Sequence, residues 1–340
     1  MIGYVAAKQK NRPTYAEIAK LAGVSEATVS RVLNGDTKVD GDRVAAVNKA
    51  VDQLGYRKNR AAAALASGRT GLIAVVIDDD LSVFQDPFWG AITNGISKVL
   101  MENEMQTLLL VAPLDNLDSP VAQYLQRGEV DGAIFLQLHK DSLIKRLAKQ
   151  NLPLVVNGTP HTSNPFAYVD SDNAGGAYAA VEHLAEKGFK TVGFITGDLT
   201  NTAAEQRLDG YLAACTKLGL KESKNLVANG DWSREAGIAG AKKLLAKNPD
   251  LDAIFCSNDV MALGAIAALQ EAGKSVPGDV AVIGFDDSYL AQNSHPGLTS
   301  VRQDIAGLGM EAAKMILASL RGEKVHSEIL PCELVIRETA

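Results

Sequence analysis

Long apolar runs are missing from this chain. No stretch approaches 18 consecutive apolar residues, so a membrane-spanning helix is excluded. The opening MIGYVAAKQKNRPTYAEIAK lacks both an apolar core and a small-residue cleavage site, so it does not read as a secretory signal. Cysteine is scarce: Cys215, Cys256 and Cys332 are far apart and odd in number, which argues against a disulfide framework and a Cys-type zinc site. The five histidines are dispersed without metal-ligand spacing, so no metal is expected. GxGxxG after a strand, GxxxxGK[ST], GxSxG and HExxH are all absent, so no enzyme motif and no cofactor is indicated. What remains is ordinary for a soluble globular protein, with 46% apolar and 22% charged residues. The 340 residues leave room for two or three domains, and a cytoplasmic location without membrane association is expected.

Charge is unevenly spread. Residues 1–70 carry twelve Lys and Arg against six acids, a balance of +6, while the remainder carries 22 basic against 34 acidic residues, or -12. A basic head on an acidic body suggests that the head meets a polyanion; chance variation of surface charge is the plainer alternative.

The head has helical grammar. Thr14 followed three residues later by Glu17 is a capping box, after which Ile18, Leu21 and Ala22 fall on one face. Gly23 ends that helix, Val24 can plug the core, and Ser25 can cap a second helix over Glu26–Leu33. The second helix buries Val29, Val32 and Leu33 and shows Glu26, Ala27, Thr28, Ser30 and Arg31 on its other face. Two short helices joined by a glycine turn can place a recognition helix in the major groove, although an unrelated helical hairpin shares the pattern. A third helix follows, capped by Asp40, with Val44, Val47, Ala50, Val51 and Leu54 as its apolar stripe up to Gly55-Tyr56.

AEIAKLAGVSEATVSRVLNG, followed by a helix ending LGYRKNRAAAALASGRTGLIAVV, resembles the lac repressor/purine repressor family of bacterial regulators. The resemblance implies that Glu26 and Ala27 choose operator bases and that Thr28, Ser30 and Arg31 contact phosphates or bases. Arg31 could bond guanine O6/N7, and Glu26 could accept from cytosine N4. It also counts Thr14, Tyr15, Ser25, Asn34 and Tyr56 among the DNA contacts. The stretch from Asn59 to Ala66 matches a hinge helix that folds on operator DNA, with Asn59 and Ala62 in contact and Leu65 as a wedge between central base pairs. AAAALA is also simply a good helix former. Two departures stand out: Lys58 where the family usually has proline, and Arg43-Val44 in place of a common Thr-Arg pair.

From residue 71 the texture changes to short β-branched runs alternating with amphipathic helices. Strands are expected at Leu72–Ile77, Gln106–Val111, Gly132–Leu136, Leu154–Asn157, Thr191–Thr196, Ala253–Cys256 and Val280–Phe285. Helices are expected at Pro87–Glu102, Asn173–Lys187, Thr202–Leu218, Arg234–Leu245 and Val260–Glu271. The alternation indicates parallel, doubly wound α/β sheets with room for two lobes. The resemblance extends over this length too and implies an all-α helix-turn-helix headpiece at 1–58, a hinge and linker at 59–70, and a two-lobed periplasmic-binding-protein-like core at 71–340. The first lobe would take about 71–160 and 300–322 and the second about 170–290 and 328–338, with crossovers near 158–172, 287–300 and 320–328.

In doubly wound sheets, ligands bind beyond the carboxyl ends of the strands. Asp78 and Asp86-Pro-Phe-Trp89 follow the first strand, Asn258-Asp259 and Asp286-Asp287 follow later ones, and Arg207 lies early in a helix after Val192–Thr196. Trp232 sits in a Gly230-Asp-Trp-Ser loop, and Gln303 is expected to open the last long helix. Planar polar groups with aromatics suit a sugar. The resemblance places Arg207, Asn258, Asp286 and Gln303 at hydroxyl-binding positions and Trp232 in the pocket; Asp78 and Phe88 are further candidates. Asn258 could instead only cap a helix, Phe88 and Trp89 could be core, and Asp259 and Asp287 are expected to be structural.

The expected function is a ligand-responsive, sequence-specific transcription regulator, a repressor of carbohydrate-use genes rather than an enzyme. Its partners would be double-stranded operator DNA of pseudo-palindromic sequence, a sugar or glycoside effector, and a second copy of the chain. No leucine heptad follows the final strand, which favours a homodimer over a tetramer. A purine or nucleoside effector is the first alternative, and a sugar-binding protein without DNA binding the second.

Overall fold

The computed structural model describes residues 13–33, 35–57, 68–77, 84–112, 119–136, 142–161 and 166–340. The chain divides into two compact units, 1–70 and 71–340.

The smaller unit is three helices: α1 (Tyr15–Ala22), α2 (Glu26–Leu33) and α3 (Gly41–Leu54). The capping box forms in both directions: the Thr14 amide donates to Glu17 Oε2 at 2.7 Å and the Glu17 amide to Thr14 Oγ1 at 3.4 Å. Gly23 takes φ 69°, a left-handed cap that a Cβ would strain. Ser25 Oγ accepts from the Thr28 amide at 3.2 Å, and Asp40 Oδ1 from the Asp42 amide at 2.8 Å. The core is Ile18, Ala19, Val29, Val47 and Ala50, with Tyr15, Val24, Val32 and Leu54 packed around it. Leu21 does not join it and is half exposed. The buried stripe of α1 runs Tyr15, Ile18, Ala19, Ala22, and at about 100° per residue Leu21 lies roughly 110° from its centre.

The larger unit holds two six-stranded sheets. The first contains β1 (Leu72–Ile77), β2 (Gln106–Val111), β3 (Gly132–Leu136), β4 (Leu154–Asn157), β5 (Ala167–Ser171) and β11 (Glu328–Leu330), in the order β11-β5-β4-β3-β1-β2. The second contains β6 (Val192–Ile195), β7 (Val227–Ala228), β8 (Ala253–Cys256), β9 (Ala281–Asp286), β10 (Thr299–Gln303) and β12 (Cys332–Val335), in the order β12-β10-β9-β8-β6-β7. Among the described pairs, all are parallel except β10 with β12. Every residue of β3, β4, β6, β8 and β9 is buried, as strands covered by helices on both faces must be.

The helices are α4 (Pro87–Glu102), α5 (Pro120–Gln126), α6 (Ser142–Ala148), α7 (Asn173–Glu186), α8 (Thr202–Leu218), α9 (Arg234–Lys247), α10 (Asp259–Glu271), α11 (Tyr289–Gln292) and α12 (Ile305–Leu320). α4 and α12 approach so closely that a Cβ on Gly95 would lie 2.1 Å from the Ala306 carbonyl oxygen. Among the described residues, no helix is long and apolar enough to cross a membrane.

Two expected boundaries move. Thr299–Gln303 pairs with β9 in the second sheet, so the second crossing between lobes follows Gln303 instead of falling within 287–300. β11 pairs with β5 in the first sheet, which places the third crossing at Pro331 rather than within 320–328. The sequence TSVRQ hides a buried strand because its polar side chains find distant partners: Thr299 Oγ1 accepts from the Arg337 amide at 2.9 Å, and Ser300 Oγ donates to Asp259. Gln303 therefore ends a strand, and Asp304 caps the following helix through the Gly307 amide at 2.8 Å.

Candidate functional site

Two surfaces carry the candidate residues. In the head, α2 turns Glu26, Ala27 and Arg31 to solvent, with Ser30 half-buried between them. On a 3.6-residue helix these positions form one stripe opposite buried Val29. Tyr15 and Tyr56 stack obliquely, with ring centroids 5.8 Å apart, against the head core. Thr14 and Ser25 are spent on capping, and Thr28 bonds Ser25. Asn34, Lys58, Asn59, Ala62 and Leu65 lie outside the described residues, as does the expected boundary between headpiece and hinge.

The second surface is a cavity of about 690 Å³ between the two sheets of the larger unit. Phe88, Arg207, Trp232, Asn258, Asp286 and Gln303 all line it; Asp78 lies outside the described residues. The strand ends of both sheets deliver these groups, as a doubly wound fold dictates.

Arg207 is the centre of the network and only 4% exposed. Its Nε donates to Asn173 Oδ1 at 2.9 Å and its Nη1 donates to the Ser257 carbonyl. Its guanidinium carbon lies 3.6 Å from the centroid of the Phe285 ring and 5.6 Å from that of Trp232. Asp286 faces it at 3.9 Å. Burial pushes the Asp286 carboxyl well above the usual carboxylate range, against the opposing pull of Arg207. Burial also lowers the guanidinium from its ordinary value, yet an arginine remains charged in proteins.

Gln303 bridges the lobes at the hinge. Its Nε2 donates to Asp286 Oδ1, and its Oε1 accepts from Ser171 Oγ of the first sheet at 2.7 Å. Asn258 bridges them at the cleft: its Oδ1 caps α10 at the Met261 amide (2.9 Å), while its Nδ2 donates to Asp86 Oδ2 at 2.9 Å and to the Trp232 carbonyl at 3.0 Å. It is thus both a cap and a cleft residue. Phe88 and Trp89 meet edge to face at 5.3 Å; both pack on the first lobe's core and both line the cavity.

The Trp232 indole lies over Gly197, where a Cβ would come within 2.3 Å of the ring. Trp232, Asp286 and Asp287 hold φ of 74°, 109° and 51°, left-handed values that cost of order 1–3 kcal/mol each outside glycine. Two of the three, Trp232 and Asp286, line the cavity.

Asp86, named only within the Asp86–Trp89 segment, also lines the cavity, as do Asn157 and Asp170, which were not singled out. Asp86 precedes Pro87 as the N-cap of α4, accepting from the Phe88 amide at 2.9 Å, and burial raises its carboxyl above its ordinary value. Asp-Pro after a strand was the signal for it. Asn157 closes β4, and its position at a strand's carboxyl end pointed to it. Asp170 lies in β5, whose polar sequence concealed the strand.

Asp259 and Asp287 are structural. Asp287 holds Arg302 at 2.7 Å and Arg337 at 2.6 Å. Asp259 accepts from the Ser288 amide at 2.7 Å and from Ser300 Oγ, and burial pushes its carboxyl up to about 7. The folded state therefore keeps a proton that the unfolded chain releases near 3.8. The stabilisation is complete below pH 4 and is lost as pH rises through 7, by up to about 4 kcal/mol at 1.36 kcal/mol per pH unit. Asp259→Asn is expected to flatten this decline. Urea unfolding of both proteins at pH 4.5 and 7.5, followed by tryptophan fluorescence, checks it, and an unchanged decline in the variant refutes the assignment.

Residues 14–59 match the model of bacterial regulatory proteins of the lacI family, and residues 181–340 match a periplasmic binding protein-like domain. The chain is 35% identical to the HTH-type transcriptional regulator CelR of Thermobifida fusca over 98% of its own length and 99% of the relative's. It is 32% identical to the repressor CytR of Escherichia coli K12, covering 98% and 97% respectively. Among solved structures it is similar to a CelR-cellobiose complex, with a TM-score of 0.76 at 34% identity over 97% of this chain and all of the other. It is also similar to the lac repressor dimer bound to operator and the anti-inducer ONPF, with a TM-score of 0.84 at 26% identity over 96% and 99%.

Proposed function

The chain belongs to the lacI family of bacterial regulatory proteins, a family of DNA-binding transcription regulators, and from that premise we propose that it is a homodimeric repressor of carbohydrate-use genes with a glycoside effector in the interlobe cavity. The observation that carries this reading is the joint presence of an exposed Glu26/Ala27/Arg31 stripe and a cavity where Arg207, Asp286, Gln303 and Trp232 converge. The similar CelR was solved with cellobiose, which supports a sugar here.

Two heads would read the halves of a pseudo-palindrome while paired hinge segments kink its centre. Ligand closing the cavity would favour one arrangement of the lobes and so decide whether the hinges can pair, which is coupling between two sites. On this reading the chain returns its effector unchanged; Asp86 and Asp286, two of the carboxylates on the cavity wall, are hydrogen-bonded to Asn258 and Gln303.

Selection of bound duplexes from a random pool by the full-length protein, at about 150 mM salt to suppress non-specific phosphate binding, tests the reading. Enrichment of a pseudo-palindrome is expected. No enrichment, with and without a sugar mixture, overturns it. Leu65→Ala is expected to weaken binding to that operator about tenfold while leaving non-specific binding unchanged, because only the specific complex unstacks a base step. Equal losses on specific and random duplexes, measured by mobility shift, contradict the wedge.

A further inference from the structure

The cavity's charge balance and size narrow the ligand beyond a sugar in general. Six carboxylates line it against two guanidiniums, and no lysine or histidine does so among the described residues. The deeper guanidinium, Arg207, has already committed two of its nitrogens to protein acceptors and faces Asp286. The four helix N-termini whose capping residues line the cavity, those of α4, α8, α9 and α10, are each closed by that capping side chain. A phosphate or carboxylate on the ligand would therefore meet an excess of carboxylates, with the exposed Arg234 as the one further cation among the lining residues. Carboxylates and amides suit hydroxyl groups, which can donate to them.

Aromatic surface comes from both lobes. Trp232 stands on the second, seated over Gly197, and its buried Nε1 has no partner among the described residues. Phe88 and Trp89 stand on the first. Each lobe can thus offer one flat platform to the C–H face of one ring. The volume agrees: 690 Å³ lies within the range of small-molecule pockets and exceeds what a single hexose needs, leaving room for a second linked ring.

We infer that the effector is an uncharged glycan of at least two pyranose rings, and that phosphorylated and uronic sugars are rejected. This rests on the reading of the cavity as an effector site for glycosides. The experiment is titration of the full-length protein with cellobiose, maltose, lactose, melibiose and trehalose. Their component hexoses, the 6-phosphate esters of the disaccharides, and adenosine complete the set. Both tryptophans of the chain line the cavity, so intrinsic fluorescence reads the binding directly.

At least one neutral disaccharide is expected to bind, 100-fold or more tighter than its component hexoses and its own phosphate ester. A hexose that binds as tightly as any disaccharide, or an ester that binds as tightly as its parent, overturns this inference and leaves the glycoside reading standing. Binding of adenosine alone, or of none of these probes, overturns both.

Discussion

Arg207→Ala is expected to abolish the response to effector and to leave operator affinity unchanged. Arg207 is the only buried arginine or lysine among the described residues, and it ties together groups from three parts of the second lobe: Asn173 on α7, Ser257 after β8, and Asp286 at the end of β9. Charge-assisted hydrogen bonds contribute about 1.5–3 kcal/mol each, so losing one from Arg207 to the effector is expected to cost affinity roughly 10- to 150-fold. Removing one member of a buried pair ordinarily destabilises a protein by about 3–5 kcal/mol. Here the loss is smaller, because burial already raises the Asp286 carboxyl and Gln303 still donates to it, so a proton can replace the missing cation. Arg207→Lys separates charge from geometry. The ammonium keeps the charge but cannot donate to Asn173 and Ser257 in one plane, so the effector response is expected to stay lost while thermal stability is largely restored. Fluorescence titration with a bound disaccharide and mobility shift on the selected operator measure the two sides. An effector titration unaltered in the alanine variant removes Arg207 from the site.

The elements that could be read from the chain and those that could not differ in where their partners lie. α1 and α2 were legible because Thr14, Glu17, Gly23 and Ser25 act within one turn of their own positions. β1 and β3 were legible because a strand covered on both faces must be apolar throughout, as LIAVVI and GAIFL are. β5 and β10 were not, because AYVDS and TSVRQ expose no such run. Their polar groups are satisfied 40 or more residues away: Ser171 by Gln303, Ser300 by Asp259, Thr299 by Thr339. Local propensity has no view of such pairs. The cavity shows the same division. Arg207, Asn258 and Asp286 follow recognisable strands and Trp232 stands in a Gly-Asp-Trp-Ser loop, whereas Asp170 sits on a strand that was missed. Leu21 marks the remaining limit. Its apolar side chain suggested a buried place, but the helix phase set by Tyr15, Ile18, Ala19 and Ala22 turns it outward.

In the head, Arg31→Ala costs operator affinity about 1–3 kcal/mol, roughly 5- to 150-fold, if the side chain forks onto guanine O6 and N7. Arg31 is exposed on the stripe opposite the head core and lies in the last turn of α2, one turn beyond Glu26 and Ala27. The loss would then be confined to duplexes carrying that guanine, and a duplex with the base pair changed would bind wild type and variant alike. A phosphate contact would behave differently. The variant would lose affinity about equally on operator and scrambled duplex, and the slope of log affinity against log salt would fall by about one, since one fewer counterion is released. Mobility shifts of both proteins on operator, base-changed and scrambled duplexes from 50 to 200 mM salt separate the two modes. Glu26→Gln is the companion measurement: a carboxylate accepting from cytosine N4 is replaced by an amide that can also donate, so discrimination at that pair is expected to relax while the salt slope stays as it was. An Arg31→Ala variant that binds operator as wild type does, at every salt, removes this side chain from the interface and leaves base choice to Glu26 and Ala27.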